Sequence, residues 1–273
     1  METERKGAKK MARETIRQNV NVCLCIAVVC QATFGVSVAV AADADADALR
    51  DLYARAKITE IWQPVPATVS VNSQGVPSDA LVLFHSGALN QWRSVKGGAA
   101  PWQVDGDYFT VEPGTGDIET VEHFSDVQLH VEWRTPAQVV GDSQGRGNSG
   151  VFLMRDYEVQ VLDSFNNPTY SNGQAASIYK QHIPLVNAAN APGVWQSYDI
   201  IFRAPVFGDD GRLRTAAVAT VLHNGVLVQN HVSLSGPTEF IGAPNYQAHG
   251  AAPIKLQDHS NLVSFRNIWV RHL

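Results

Sequence analysis

The chain has 273 residues, 45% of them hydrophobic, and sets 26 Asp/Glu against 21 Lys/Arg for a formal net charge of −5. Six of the basic residues sit near the amino end, so the remainder of the chain is more acidic still, which argues against nucleic acid and anionic membrane as partners and leaves a neutral substrate unaffected. All three cysteines (Cys23, Cys25, Cys30) precede residue 42, so the rest of the chain has no disulfide, no zinc–thiolate site and no thiol nucleophile.

In chain order, Arg5, Lys6, Lys9, Lys10, Arg13 and Arg17 form a basic head, and an apolar run extends from about Val20 to Val40. It closes on Ala39-Val40-Ala41-Ala42 and gives way to Asp43-Ala44-Asp45-Ala46-Asp47. This is the pattern of a cleavable secretory signal peptide over residues 1–42. It predicts a periplasmic or secreted protein, free of the membrane once cut. The run is long enough for a retained anchor, but Gln31, Thr33, Ser37 and two small-residue clusters weigh against one. Val28-Val29 before Cys30 does not suit lipidation. Asp43, Asp45 and Asp47 lack the turn glycine and closing Glu of a calcium loop and read as a solvated tail.

Residues 48–61 carry helical spacing at Leu49, Leu52, Tyr53 and Ala56, and the Pro-rich residues 62–77 read as an extended strap. Residues 43–78 are therefore expected to form a short helix and strap ahead of one domain over 79–273. From Leu81 onward the pattern is strand, turn, strand. Asp105-Gly106-Asp107 and His223-Asn224-Gly225 are hairpin signals. Val127, Leu129, Val131 and Trp133 alternate with Gln128, His130, Glu132 and Arg134. Ten to twelve short strands and no further helix predict an all-β fold, a jelly-roll β-sandwich of two antiparallel sheets.

Three groups of residues are candidates for chemistry. Glu132 and Arg134 share the polar face of one strand. In Tyr157-Glu158-Val159-Gln160-Val161-Leu162-Asp163-Ser164, period two places Glu158 and Gln160 on one face. Leu162 would join them unless a bulge re-aims Asp163. Leu256-Gln257-Asp258-His259 sets an imidazole beside a carboxylate, a pairing suited to proton transfer. Gly147-Asn148-Ser149-Gly150 is either a tight turn or a place where a ligand meets the backbone. Carboxyls, an imidazole and amides on one sheet face suit sugar chemistry, and Tyr179 is the first choice for a stacking platform. The remaining histidines show no metal-ligand spacing, so no metal and no cofactor is expected.

These segments, taken with Leu83-Phe84-His85-Ser86-Gly87, Ile178-Tyr179-Lys180-Gln181, Trp195-Gln196-Ser197-Tyr198-Asp199 and Phe265-Arg266-Asn267-Ile268, resemble the 3-keto-disaccharide hydrolase domain family in order over nearly the whole domain. One departure is His85-Ser86, where the family usually has Asp or Asn then Gly. The resemblance implies a concanavalin A-like jelly roll and an oligosaccharide or glycoside substrate. The strand bearing Glu158 also resembles the catalytic strand of laminarinase-type glycosidases, with Gln160 in place of an acid. The expected reaction is elimination and hydration of a 3-keto-glycoside. Glu158 and His259 would be base and acid in either order, and Arg134 or Lys180 would polarise the ketone. Glu132, Asn148, Gln160, Asp163, Tyr179, Gln257 and Asp258 would bind substrate. A lectin-like module and an ordinary glucan hydrolase are the alternatives. The clustering of acids with His259 disfavours the first, and Gln160 the second.

Overall fold

The structure, a computed structural model, describes residues 37–273. The basic head and most of the apolar run of the expected signal peptide lie outside the described residues. The chain divides into two units between Ala67 and Thr68. In the first, helix α1 (Ser37–Lys57) contains the four spaced apolar positions and ends earlier than the spacing alone suggests, with Arg55 and Lys57 in its last turn. Positive charge there complements the carboxyl end of the helix dipole. No described helix is long and apolar enough to cross a membrane.

The second unit is a two-sheet sandwich with strands β1 (Leu81–Phe84), β2 (Trp92–Ser94), β3 (Gln103–Asp105), β4 (Tyr108–Thr110), β5 (Ile118–Thr120), β6 (Val127–Arg134), β7 (Ser149–Leu153), β8 (Tyr157–Val161), β9 (Gln196–Arg203), β10 (Val206–Phe207), β11 (Leu213–Thr215), β12 (Val218–His223), β13 (Val226–Ser233), β14 (Lys255–Leu256) and β15 (Ser264–His272). The eight-stranded sheet runs β13-β12-β9-β6-β15-β4-β3 with β1 paired to β15, and the five-stranded sheet runs β2-β5-β14-β7-β8. A separate pair, β10-β11, completes the set. The pairings are antiparallel.

The alternation of β6 works as its sequence demands. Val127, Leu129, Val131 and Trp133 are fully buried, while Gln128, His130, Glu132 and Arg134 stay half-exposed on the other side. The buried set packs with Tyr198, Ile200 and Phe202 of β9 and with Val151, Val159 and Val161 of the five-stranded sheet in one core. β2, β5, β10 and β11 carry no sequence signal: each has three residues or fewer, and β5 buries Glu119 and Thr120 among them. The Asn224-Gly225 turn joins β12 to β13 with φ of 53° and 77°, the left-handed values a two-residue hairpin needs.

One hydrogen bond ties the sheets together beneath the candidate strand: Tyr198 Oη on β9 donates to the Gln160 carbonyl on β8 at 2.7 Å, with both residues buried. The same carbonyl accepts from the Ala176 amide, so removing the hydroxyl does not orphan it. We expect Tyr198→Phe to lower unfolding free energy by about 1 kcal/mol in a denaturant titration, with the fold retained.

Candidate active site

Register builds the site. Across the five-stranded sheet, Glu158 pairs with Phe152, Phe152 with Lys255, Lys255 with Glu119 and Glu119 with Arg93. One row over, Gln160 pairs with Gly150. Tyr157, Val159 and Val161 take the core side, so Glu158 and Gln160 face away from the core, as period two requires. Val161 and Leu162 are both in the core, so the alternation breaks between them. Asp163 is thereby turned to Arg146, whose Nε donates to Asp163 Oδ2 at 2.7 Å.

The side of the sheet turned away from the core is covered by loops. The segment 235–240 is pinned by Gln181 Nε2 donating to the Gly236 carbonyl, Lys180 Nζ to the Phe240 carbonyl at 2.6 Å, and Thr238 N–H to the Asp156 carbonyl at 2.7 Å. Thr238 Oγ1 in turn accepts the Glu158 N–H at 3.0 Å. What remains open is a pocket of about 250 Å3 lined by Glu158, Gln160, Asn148, Tyr179, Gln257 and His259, with Phe152, Thr238 and Phe240.

Glu158 is 5% exposed, and its side chain makes no ion pair or hydrogen bond among the described residues. Burial pushes its carboxyl from 4.5 up to about 8; Lys255 pulls it part of the way down and Asp117 opposes that pull. Lys255 is itself engaged, with Nζ 3.4 Å from Asp117 Oδ2 and 4.0 Å from the Phe152 ring centroid. Gly150 makes room for the carboxyl, since a methyl group there would lie 2.6 Å from Glu158 Oε1. This close packing under a side chain explains the glycine, whose motif left turn and ligand approach open.

Two amides share one support. Gln160 Nε2 donates to Gln144 Oε1 at 2.9 Å and Asn148 Nδ2 to the Gln144 carbonyl at 2.6 Å. Gln160 Oε1 is buried with no partner among the described residues. Tyr179 Oη shares a 2.6 Å hydrogen bond with Tyr170 Oη, and burial together with that bond pushes its phenol pKa up, so it stays neutral. His259 is exposed at the mouth, and its carbonyl accepts from Asn261 Nδ2 at 2.7 Å.

Other expected site residues stand elsewhere. Glu132 and Arg134 project from the eight-stranded sheet on the side away from the core, so the whole core separates them from Glu158. Glu132 is paired where it stands. His130, together with hydrogen bonds from Asn267 and Arg266, outweighs burial and holds its carboxyl down to about 2. The Arg134 guanidinium lies 4.6 Å from the ring centroids of both Tyr108 and Trp195. Neither residue reaches the pocket, so Arg134 does not polarise a ketone there. Asp258 is also a brace. Its Oδ2 accepts from the Gly114 and Gly116 amides and its Oδ1 from Ser260, which fixes the loop that presents His259. Asp163 lines an adjacent cavity, where Arg146 and the Phe165 amide engage its carboxylate. Lys180 stands at the rim beside Phe240. Sequence reasoning missed Phe152, Thr238, Phe240, Gln144 and Lys255. Only Lys255, on the strand that leads into the His259 loop, carried a signal in its charge. Among the described residues no group of three or more His, Cys, Asp or Glu is placed to hold a metal ion.

A jelly-roll sandwich with a polar pocket over one of its two sheets is the class of fold. Within it, the chain belongs to the 3-keto-alpha-glucoside-1,2-lyase-like domain family, whose pattern it matches over residues 79–271. A crystal structure of a candidate glycosyl hydrolase from Parabacteroides distasonis is 52% identical, covers 80% of this chain and 96% of its own, and superposes with a TM-score of 0.77. A second candidate glycosyl hydrolase from that organism is 20% identical over 71% of this chain and 94% of its own, with a TM-score of 0.52, and shares the fold. No curated protein matches the chain.

The buried carboxyl makes stability pH-dependent. The folded chain keeps the Glu158 proton up to about pH 8, whereas the unfolded chain releases it near 4.5. Glu158 therefore makes wild type lose stability as pH rises through this window, a contribution that Glu158→Gln lacks. We expect the two proteins to match near pH 4 and the variant to be more stable by ~5 kcal/mol at pH 9, read by denaturant unfolding.

Proposed function

We propose that this protein is a hydrolase of 3-keto-glycosides that works by elimination and then hydration. The observation that carries this reading is the inventory of the pocket: one buried carboxyl raised to about 8, one imidazole, three amides and no second carboxyl among the lining residues. Retaining and inverting glycosidases ordinarily need two carboxyl groups flanking the bond. Elimination needs only a strong base, an acid for the leaving oxygen, and donors at the ketone.

A ketone at C3 acidifies the hydrogen on C2. The ionised Glu158 removes that proton, the enolate reforms the ketone as the C1–C2 double bond forms, and the C1–O bond breaks. His259 at the mouth protonates the departing oxygen. Water then adds to C1 with His259 taking its proton, and Glu158 returns a proton to C2. The balance is hydrolysis. Asn148, Gln160 and Gln257 hold hydroxyls and the ketone, Gln160 Oε1 gains a partner, Lys180 supplies positive charge at the rim, and Tyr179 with Phe240 flanks the ring. With its signal-like leader, the enzyme is assigned to the periplasm or the exterior, and residues 79–273 to the catalytic domain.

The test is to incubate the protein with 3-keto-trehalose or 3-keto-lactose beside the unoxidised sugars. Only the oxidised sugars are expected to be cleaved, with deuterium entering C2 at the turnover rate in D2O. kcat/KM should be bell-shaped in pH, because the reacting form needs Glu158 ionised and His259 protonated at once, and Glu158→Gln should remove that profile with the activity. Glu158→Gln should lower kcat by at least ~1000-fold and His259→Ala by ~100-fold. Binding without cleavage would move the assignment to a lectin-like module, and cleavage of unoxidised sugars without deuterium at C2 would sink elimination.

A further inference from the structure

A second cavity, of about 280 Å3, lies beside the first and shares its walls. Gly147 and Asn148 are consecutive, the one lining this cavity and the other the pocket. His259 lines the pocket, and Ser260, Asn261 and Leu262 line the cavity. The partition is held by the Gly147 N–H donating to Asn261 Oδ1 at 2.9 Å. The residue proposed to protonate the leaving oxygen therefore sits on the loop that divides the two spaces.

The lining differs in kind from that of the pocket. Pro136, Val139, Val140 and Leu262 are apolar, and three of them are unusually open, Val140 at 70%, Leu262 at 54% and Val139 at 47%. Exposed apolar residues gathered at one mouth mark a binding surface. The valine loop is set by Gly141, whose φ of +81° and 2.6 Å approach of a would-be methyl to the Gly145 carbonyl oxygen forbid a side chain. The charges present cancel, since Arg146 binds Asp163 at 2.7 Å and the Phe165 carbonyl at 3.0 Å. An anionic occupant finds no free cation among the lining residues. At the inner wall Thr135 is 2% exposed and its Oγ1 has no partner among the described residues. An apolar cavity of about 150 Å3 takes one benzene ring, so this one has room for a ring and a short chain.

We infer that this cavity is the leaving-group subsite and that, among 3-keto-glycosides, it favours those whose leaving group is an uncharged, ring-bearing apolar alcohol over those that carry a second sugar. The inference rests on the proposed reaction and adds the aglycone class to it. Of the hydroxyls of a second sugar, those set against Pro136, the two valines and the leucine lose water without gaining partners, and only those that reach Thr135, Gln138, Ser260 or Asn261 find one. An aromatic ring gains by leaving water.

The experiment compares ethyl and 2-phenylethyl 3-keto-glucosides, whose alkoxide leaving groups are of nearly equal basicity, so that any preference reports binding of the ring. Wild type is expected to favour the phenylethyl compound about tenfold or more in kcat/KM, and Val140→Asp, at an exposed position, to bring the ratio near one. A wild-type ratio near one, or a ratio that Val140→Asp leaves unchanged, overturns the subsite. Should neither compound be cleaved, the reaction has failed, and the cavity is judged by ligand-observed NMR with 2-phenylethanol. A signal in wild type that Val140→Asp abolishes supports an apolar ring site on its own, and equal signals in both overturn it.

Discussion

A carboxyl group is held out of water at Glu158 without a countercharge in contact, and much of the surrounding structure serves to keep it there. Its own strand is hydrogen-bonded to β7 on one side and to loop residues on the other, where the Tyr179 N–H donates to the Glu158 carbonyl at 3.3 Å. Phe152 flanks it, Gly150 yields volume to it, and the 235–240 segment closes over its amide. Burial of an acid without a partner is destabilising whenever the acid is ionised. The fold meets that cost with its core. The aromatic and aliphatic side chains between the sheets, from Phe109 and Trp133 to Tyr198 and Phe265, are almost wholly buried. A site whose useful property is a strained protonation state needs such a frame, because the pull of Lys255 offsets only part of the cost that burial sets on its charged form.

Glu132 shows how far environment, not residue type, decides. It too lies on a strand, with its side chain turned away from the core. Yet Arg266 Nε at 2.7 Å and Asn267 Nδ2 at 2.9 Å fix its oxygens. His130 is carried in the opposite sense, up to about 9: burial works against its charge, but Asp199 and Glu132 outweigh that burial. One carboxyl is locked as an anion in a surface ion cluster and cannot take up a proton near neutrality. The other is poised to exchange one there. Perturbation by burial inside a pocket, as distinct from pairing on a sheet face, is what separates a working acid from a structural one.

That distinction is the part of the site the amino-acid order does not carry. Period two places Glu132 with Arg134 and Glu158 with Gln160 by the same rule, and the rule is silent on which sheet each strand joins or what covers it. The strand alternation, the hairpin turns at Asp105-Gly106-Asp107 and Asn224-Gly225, and the facing of Glu158 were legible because they depend on neighbours in sequence. Asn148, Tyr179, Gln257 and His259 were reachable through the family's motifs. Thr238 and Phe240 were not, since they reach Glu158 only through a loop some eighty positions away. Asp258 misled for a related reason: an acid next to a histidine reads as its partner, but its oxygens turn to the glycine amides of residues 114 and 116.

The same long-range logic gives the loop 257–262 its place in the design. The Gln257 N–H donates to the Gly150 carbonyl at 3.1 Å and its own carbonyl accepts from Ser149 Oγ, so the loop starts from the sheet that bears Glu158. Asp258 clamps it to the 114–116 turn, and Asn261 returns it to Gly147. A loop fixed at three points holds the backbone of His259 against the strand beside it, so the imidazole is presented from a set place at the pocket mouth although it is exposed. Proton transfer to a leaving group needs that constancy more than it needs burial, because the leaving oxygen must find the acid within hydrogen-bond reach as its bond to carbon breaks. The proposed base and acid are thus held by opposite means, Glu158 by the packing that surrounds its side chain and His259 by the backbone that carries it. This division lets one pocket keep its base desolvated while its acid stays in exchange with water.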